Sequence, residues 1–139
     1  MISILIANYN KGQYLQYALE SVFSQSYTDW EIVIVDDGST DDSFKTYNKY
    51  ANEDRVHIYS NKTNRGCTYT KWRLIEECHG EIFGFLDADD ALLPDALESM
   101  VNTHNANPNA AIVSSRHYHC DEQMNIYQES RLLHIQKNE

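Results

Sequence analysis

The chain has 139 residues, 42% hydrophobic and 23% charged, a composition that suits one globular domain with length enough for a core. With 11 Lys+Arg against 21 Asp+Glu its formal net charge is −10. That argues against nucleic acid or an anionic membrane as a general partner, since both need a basic face. The elements then follow in order. Residues 2–7 are an apolar, β-branched run that predicts a buried parallel strand. The run is too short for a signal-peptide core, and no stretch approaches a membrane span, so cytoplasmic placement is expected. Leu15, Ala18, Leu19 and Val22 keep helical spacing, and Ile32-Val33-Ile34-Val35 predicts a second buried strand. Residues 41–51 read as a short helix capped by Ser39 or Thr40, and residues 56–59 as a third strand. Cys67, Leu74, Ile75 and Cys78 share one face of a third helix, followed by a strand at 82–86. Leu93, Leu97, Met100, Val101 and His104 share a face of a fourth helix with Pro94 in its first turn, and 110–113 reads as a further strand. Residues 116–120 and 125–128 suit an antiparallel hairpin. The three cysteines, Cys67, Cys78 and Cys120, are odd in number and without CxxC spacing, so reduced core thiols are expected.

Alternating strands and helices predict right-handed βαβ units and a mostly parallel open sheet. In such sheets ligands bind at the carboxyl ends of the strands. Two acidic clusters fall there. Asp36, Asp37, Asp41 and Asp42 follow the second strand, and Asp87, Asp89, Asp90 and Asp95 follow the fourth. Acids at helix starts often only cap helices. Two clusters on the ligand edge, each after a buried strand, point instead to a hard divalent cation such as Mg²⁺ or Mn²⁺. In an extended backbone Asp87 and Asp89 would lie on one side and converge on one ligand. An EF-hand loop beginning at Asp87 fails, because Leu92 stands where its glycine belongs and Pro94 intervenes.

Five stretches together carry a resemblance: Ile4 through Asn10, Ser21 through Tyr27, Glu31 through Asp41, Asn64-Arg65-Gly66, and Gly80 through Asp90. In order and spacing they resemble the family 2 glycosyltransferases over residues 1–120. The resemblance implies a GT-A, Rossmann-like nucleotide-diphospho-sugar-binding fold and an inverting transfer from a UDP-type sugar to a saccharide or lipid-linked acceptor, as in polysaccharide biosynthesis. A lipid-linked acceptor would bring the protein to the inner face of the membrane. By position, the resemblance also implies that Ala7 and Tyr9 border the base, Asp37 binds it, and Asp36 lies beside it. Arg65 and Gly66 would lie on the loop that approaches the nucleotide, Asp87 would reach the ribose, and Asp89, with Asp87, would ligate the metal.

Two departures stand out. Where the family commonly has Ala-Arg-Asn-x-Gly, this chain has Thr70-Lys71-Trp72-Arg73-Leu74. Lys71 offers a phosphate a charge without an arginine's bidentate fork, and it could equally snorkel over the core. Inverting transfer also needs a carboxylate base for the acceptor hydroxyl. In the family that base lies well after the DxD, so it is expected beyond Glu139, with residues 121–139 as the start of an acceptor region or a tail. Asp121-Glu122 is the later acidic pair here, in a stretch that reads as a hairpin turn. Hence the alternative of a non-catalytic sugar-nucleotide-binding module. His117 and His119 alternate on one strand, where polar edge residues are the plainer reading. A phospho-acceptor signalling domain would want paired acids after the first strand, where this chain has Asn8-Tyr9-Asn10. The Gly-rich opening loop of sugar-nucleotide pyrophosphorylases, GxGxxG and the P-loop are absent.

Overall fold

The computed structural model describes residues 1–130. Ten elements follow one another: β1 (Ile2–Asn8), α1 (Gly12–Phe23), β2 (Trp30–Asp36), α2 (Ser43–Tyr50), β3 (Val56–Ser60), α3 (Cys67–Glu77), β4 (Ile82–Phe85), α4 (Ala96–Ala106), β5 (Tyr118–Cys120) and β6 (Ile126–Glu129). The chain divides into two compact units, Met1–Glu98 and Ser99–Glu139. The expected boundary at residue 120 falls inside the second, between the strands of its hairpin.

In the first unit four parallel strands form a sheet in the order β3-β2-β1-β4. β1 and β2 are buried on both faces, as their unbroken apolar runs require. On one face Leu5, Val33 and Val35 pack against Leu74 of α3. Truncating such a fully buried leucine to alanine costs about 2–5 kcal/mol. The other face carries Ile4, Ile6, Ile32 and Ile34, all buried. Asn8 shares that face and donates to Ser43 Oγ (2.9 Å) and Tyr47 Oη (2.7 Å) of α2. α1 buries Leu15, Ala18, Leu19 and Val22 and lies beside α2. A Cβ on Gly12 would come within 2.7 Å of the Ser43 backbone, so only glycine permits that approach.

Several expectations change. Residues 110–113 form no strand, so the parallel sheet has four strands. β4 is an edge strand with Ile82, Phe83 and Phe85 exposed, not a buried one. α2 is preceded by Asp42, with no side-chain cap bond, while the Ser39 hydroxyl instead accepts the backbone N–H of Asn10. α4 starts at Ala96, after Leu93 and Pro94, and Leu97 is its buried residue. α3 buries Thr70 and Leu74. Cys67 is exposed and Cys78 half-buried, so the thiols are free but not core residues.

In the second unit β5 and β6 form the expected antiparallel hairpin, with a register shift at His119/Cys120. Arg116 pairs with Glu129 at 2.7 Å. Among the described residues no helix is long and apolar enough to cross a membrane.

Candidate functional site

The strand order reverses direction at β1. The chain steps outward from β1 to β2 and β3 and then returns to β4 on the other side of β1. At such a switch point, outside the carboxyl ends of the strands, open α/β sheets hold ligands in a crevice. Residues 8–12, 36–42, 60–66 and 86–90 all reach this edge.

The acidic cluster after β2 is built into the scaffold. Asp36 is 6% exposed and accepts the backbone N–H groups of Gly38 (3.0 Å) and Ser39 (2.8 Å) on one oxygen and Tyr47 Oη (2.6 Å) on the other. Burial and this carboxylate raise the Tyr47 phenol well above its ordinary range. Asp37 points to the opposite face and is 4% exposed. It accepts Asn61 Nδ2 (2.7 Å) and the N–H groups of Arg65 (2.9 Å) and Gly66 (2.8 Å). Burial opposes its charge, but these donors outweigh burial and hold its carboxyl below the usual range. Gly38, between the turn and that loop, has φ +76° and would put a Cβ 2.9 Å from the Asn64 nitrogen. Asp41 accepts Gly12 N (2.8 Å) and Ser43 N (3.0 Å) as well as the Ser43 hydroxyl, tying α1 to α2. Its carboxyl is likewise held low by these bonds, against the opposing effect of burial.

The acids after β4 are arranged differently. Residues 87–90 form a turn closed by Asp90 N–H to Asp87 O (3.0 Å), not the expected extended backbone. The two carboxylates reach different lysines. Asp89 accepts Lys11 Nζ at 2.6 Å, from the start of α1, and Asp87 lies 3.6 Å from Lys71 Nζ on α3. The side chains of Asp87 and Asp89 are 62% and 40% exposed. The bond to Asp89 raises the Lys11 pKa. The Lys71 ammonium also stands 5.1 Å from the centre of the exposed Phe85 ring, a cation–π contact beside its approach to Asp87. Hard carboxylate oxygens, exposed and neutralised only by lysines on flexible stems, are a donor set that suits Mg²⁺ or Mn²⁺.

The other candidates lie around this edge. Tyr9 is exposed beyond β1, and Ala7 packs beside the Leu5–Leu74 cluster. Gly66 opens α3 at φ 88°, and the Arg65 guanidinium covers the Tyr69 ring at 4.1 Å. In the hairpin, Asp121 accepts Gln123 N (2.9 Å) and Asn125 N (2.9 Å), a turn-forming role. His117 and His119 meet edge-to-face with ring centres 5.1 Å apart and join no three-ligand metal cluster among the described residues. Two residues escaped the sequence reading. Lys11, next to Asn10, carried no motif beyond its charge, and Asn61 sat in a stretch legible only as a loop.

The chain is 35% identical over 127 residues to chondroitin synthase of Escherichia coli, covering 91% of this chain and 18% of that protein. It is 30% identical over 114 residues to glucosyl-dolichyl phosphate glucuronosyltransferase of Haloferax volcanii, covering 81% of this chain and 36% of that one. It thus spans well under half the length of these relatives. Among solved structures, S. aureus TarS residues 1–349 in complex with UDP-GlcNAc superposes with a TM-score of 0.72 and 25% identity, over 77% of this chain and 32% of TarS. A mannosyltransferase from Pyrobaculum calidifontis shares the fold, with a TM-score of 0.69 and 22% identity over 74% of this chain and 32% of that one. The parallel sheet with its flanking helices is a GT-A, Rossmann-like fold. The sequence profile of glycosyl transferase family 2 matches residues 3–139, and the chain belongs to that family.

Proposed function

We propose that this chain is the donor-binding part of an inverting glycosyltransferase and holds a UDP-type sugar through a divalent cation. The observation that carries this reading is the pair of exposed carboxylates at the crevice, Asp87 and Asp89, each neutralised by a displaceable lysine. TarS, similar in fold and 25% identical, is solved with UDP and with UDP-GlcNAc.

In this reading Asp37 meets the base and also holds the 61–66 loop in place, so that Arg65 and Gly66 face the nucleotide. Tyr9 offers its ring to the base above Ala7, and Asp87 takes the ribose. Asp36 has both oxygens engaged by the protein and contributes through the turn it forms. Lys11 and Lys71, once released from their aspartates, turn their ammonium groups to the diphosphate. A bound Mg²⁺ or Mn²⁺ would supply positive charge against the diphosphate as it leaves. Transfer to a saccharide or lipid-linked acceptor, with the second of these at the inner face of a membrane, is a reading of the whole protein. The similarity to synthases of saccharide chains supports it.

Titration calorimetry with UDP tests the donor site. Binding is expected with Mn²⁺ and not with chelator, and Asp89→Ala should remove the difference. Equal binding in both conditions by the unaltered chain would overturn the metal role.

A further inference from the structure

The opposite end of the same sheet carries a second constellation. Glu31, near the start of β2, is 3% exposed and shares a face with Ser3 of β1 and His57 of β3. One of its oxygens, Oε1, accepts the Ser3 hydroxyl and the backbone N–H of His79 (2.7 Å). These bonds fix the carboxylate and leave Oε2 aimed outward. Burial opposes its charge, but the Ser3 and His79 bonds outweigh it and hold the carboxyl below its ordinary range. Two imidazoles converge on Oε2: His79 Nδ1 at 3.0 Å and His57 Nε2 at 3.3 Å.

We propose that Glu31, His57 and His79 form a binding site for a divalent transition metal of the Zn²⁺ class. All three ligand atoms lie within 4.8 Å of one another. Ligands at about 2.0–2.1 Å from a tetrahedral ion are spaced about 3.3 Å apart, so a small inward shift of two side chains completes three corners. Two imidazole nitrogens with one carboxylate favour a borderline metal over Mg²⁺, which prefers all-oxygen shells. The ligands come from three separate segments, the two strands and the loop after α3. A bound ion would therefore clamp edge strand β3 and that loop to the middle of the sheet. The fourth position opens to an exterior depression of about 410 Å³, also lined by Asp54, which favours a cation, and by Asp29, whose carboxylate is paired with the Met1 ammonium at 2.9 Å. Arg55 stands on the same rim. Its guanidinium lies over the Trp30 ring at 3.8 Å and donates to Thr28 O at 3.3 Å.

This site is separate from the donor crevice. Glu31 precedes Asp36 by five residues in β2, about 17 Å at a rise of about 3.3 Å per residue. Its ligand chemistry also differs, so the two cations can be told apart.

The test uses the full chain without a histidine tag, in excess Mg²⁺ to occupy hard-oxygen sites. Titration with Zn²⁺ should give one equivalent of tight binding. Co²⁺ should give the visible absorption bands of a four-coordinate ion. His57→Ala and His79→Ala remove only the half-exposed and exposed ligands, and each should weaken Zn²⁺ at least tenfold and abolish the Co²⁺ bands. Zn²⁺ binding should also raise the melting temperature of the parent but not of the double variant. Absence of Co²⁺ bands in the parent would overturn the proposal without recourse to any variant. Unchanged Zn²⁺ affinity in both histidine variants would overturn it equally.

Discussion

The acidic cluster after β2 and the acidic pair after β4 lie on one edge of one sheet and are alike in composition, yet their surroundings differ. Asp36, Asp37 and Asp41 accept between them the backbone N–H groups of Gly12, Gly38, Ser39, Ser43, Arg65 and Gly66. They are fixed charges that shape three loops. Asp87 and Asp89 have flexible lysine partners and broad exposure to solvent. A carboxylate that accepts several backbone donors shapes its loop whether or not a ligand is bound. A carboxylate facing a lysine can exchange that partner for a metal at small cost. Position at the ligand edge alone therefore does not separate an acid that holds a loop from one left open to a cation; the donors around each acid do.

Removing Asp37 should give the largest effect. Asp37→Ala leaves the Arg65 N–H without its acceptor, and leaves Asn61 Nδ2 and Gly66 N–H only their longer bonds to Thr70 Oγ1 and Asn64 Oδ1, a loss of about 2 kcal/mol or more. Urea unfolding would measure it, and an unchanged midpoint would break the distinction between the two clusters. Acid should act through the same residues. Asp37 and Asp41 lie below the ordinary value of 3.8, so the unfolded chain binds more protons than the folded one. Their contribution is complete above about pH 5 and is lost as pH falls through 3.8 toward the lowered folded values. Asp37→Asn and Asp41→Asn should lower the melting temperature at neutral pH and flatten its fall between about pH 5 and pH 2.5. Variants as acid-sensitive as the parent would assign that stability to other groups. Asp89→Ala inverts the pattern. Stability should change by less than about 1 kcal/mol, as for other exposed ion pairs. Mn²⁺-supported UDP affinity should fall at least tenfold, about 1.4 kcal/mol.

Much of this was legible from the residues. The apolar residues on both faces of 4–7 and 32–35 marked central strands, and the four apolar positions of α1 marked its buried face. The GT-A fold followed from motif order. What failed depends on contacts distant in sequence. The 82–86 run is as apolar as β1, but its place at the sheet edge, which alternation alone does not specify, leaves Phe83 and Phe85 exposed. Asp87-Ala88-Asp89 reads as extended because it follows a strand, whereas the Asp90 to Asp87 bond turns it. The division of labour between the clusters was hidden for the same reason. Asp37 acquires its role from Asn61, 24 residues away, and Asp89 acquires its partner from Lys11, 78 residues away.

That last pair gives the smallest and most discriminating expectation. In the absence of nucleotide, the Lys11 ammonium occupies the charge that Asp89 would offer a cation. Lys11→Met keeps the length and apolar stem of the side chain and removes the charge. Mn²⁺ alone, followed by electron paramagnetic resonance, should then bind about fivefold more tightly, the roughly 1 kcal/mol that a unit charge at about 4 Å is worth in water. With UDP present the gain should shrink or reverse, because the parent's lysine is then released to meet the diphosphate. A variant that binds Mn²⁺ no better than the parent would mean that Lys11 does not guard Asp89. The exposed pair would then belong with the structural cluster after β2, on the other side of the comparison.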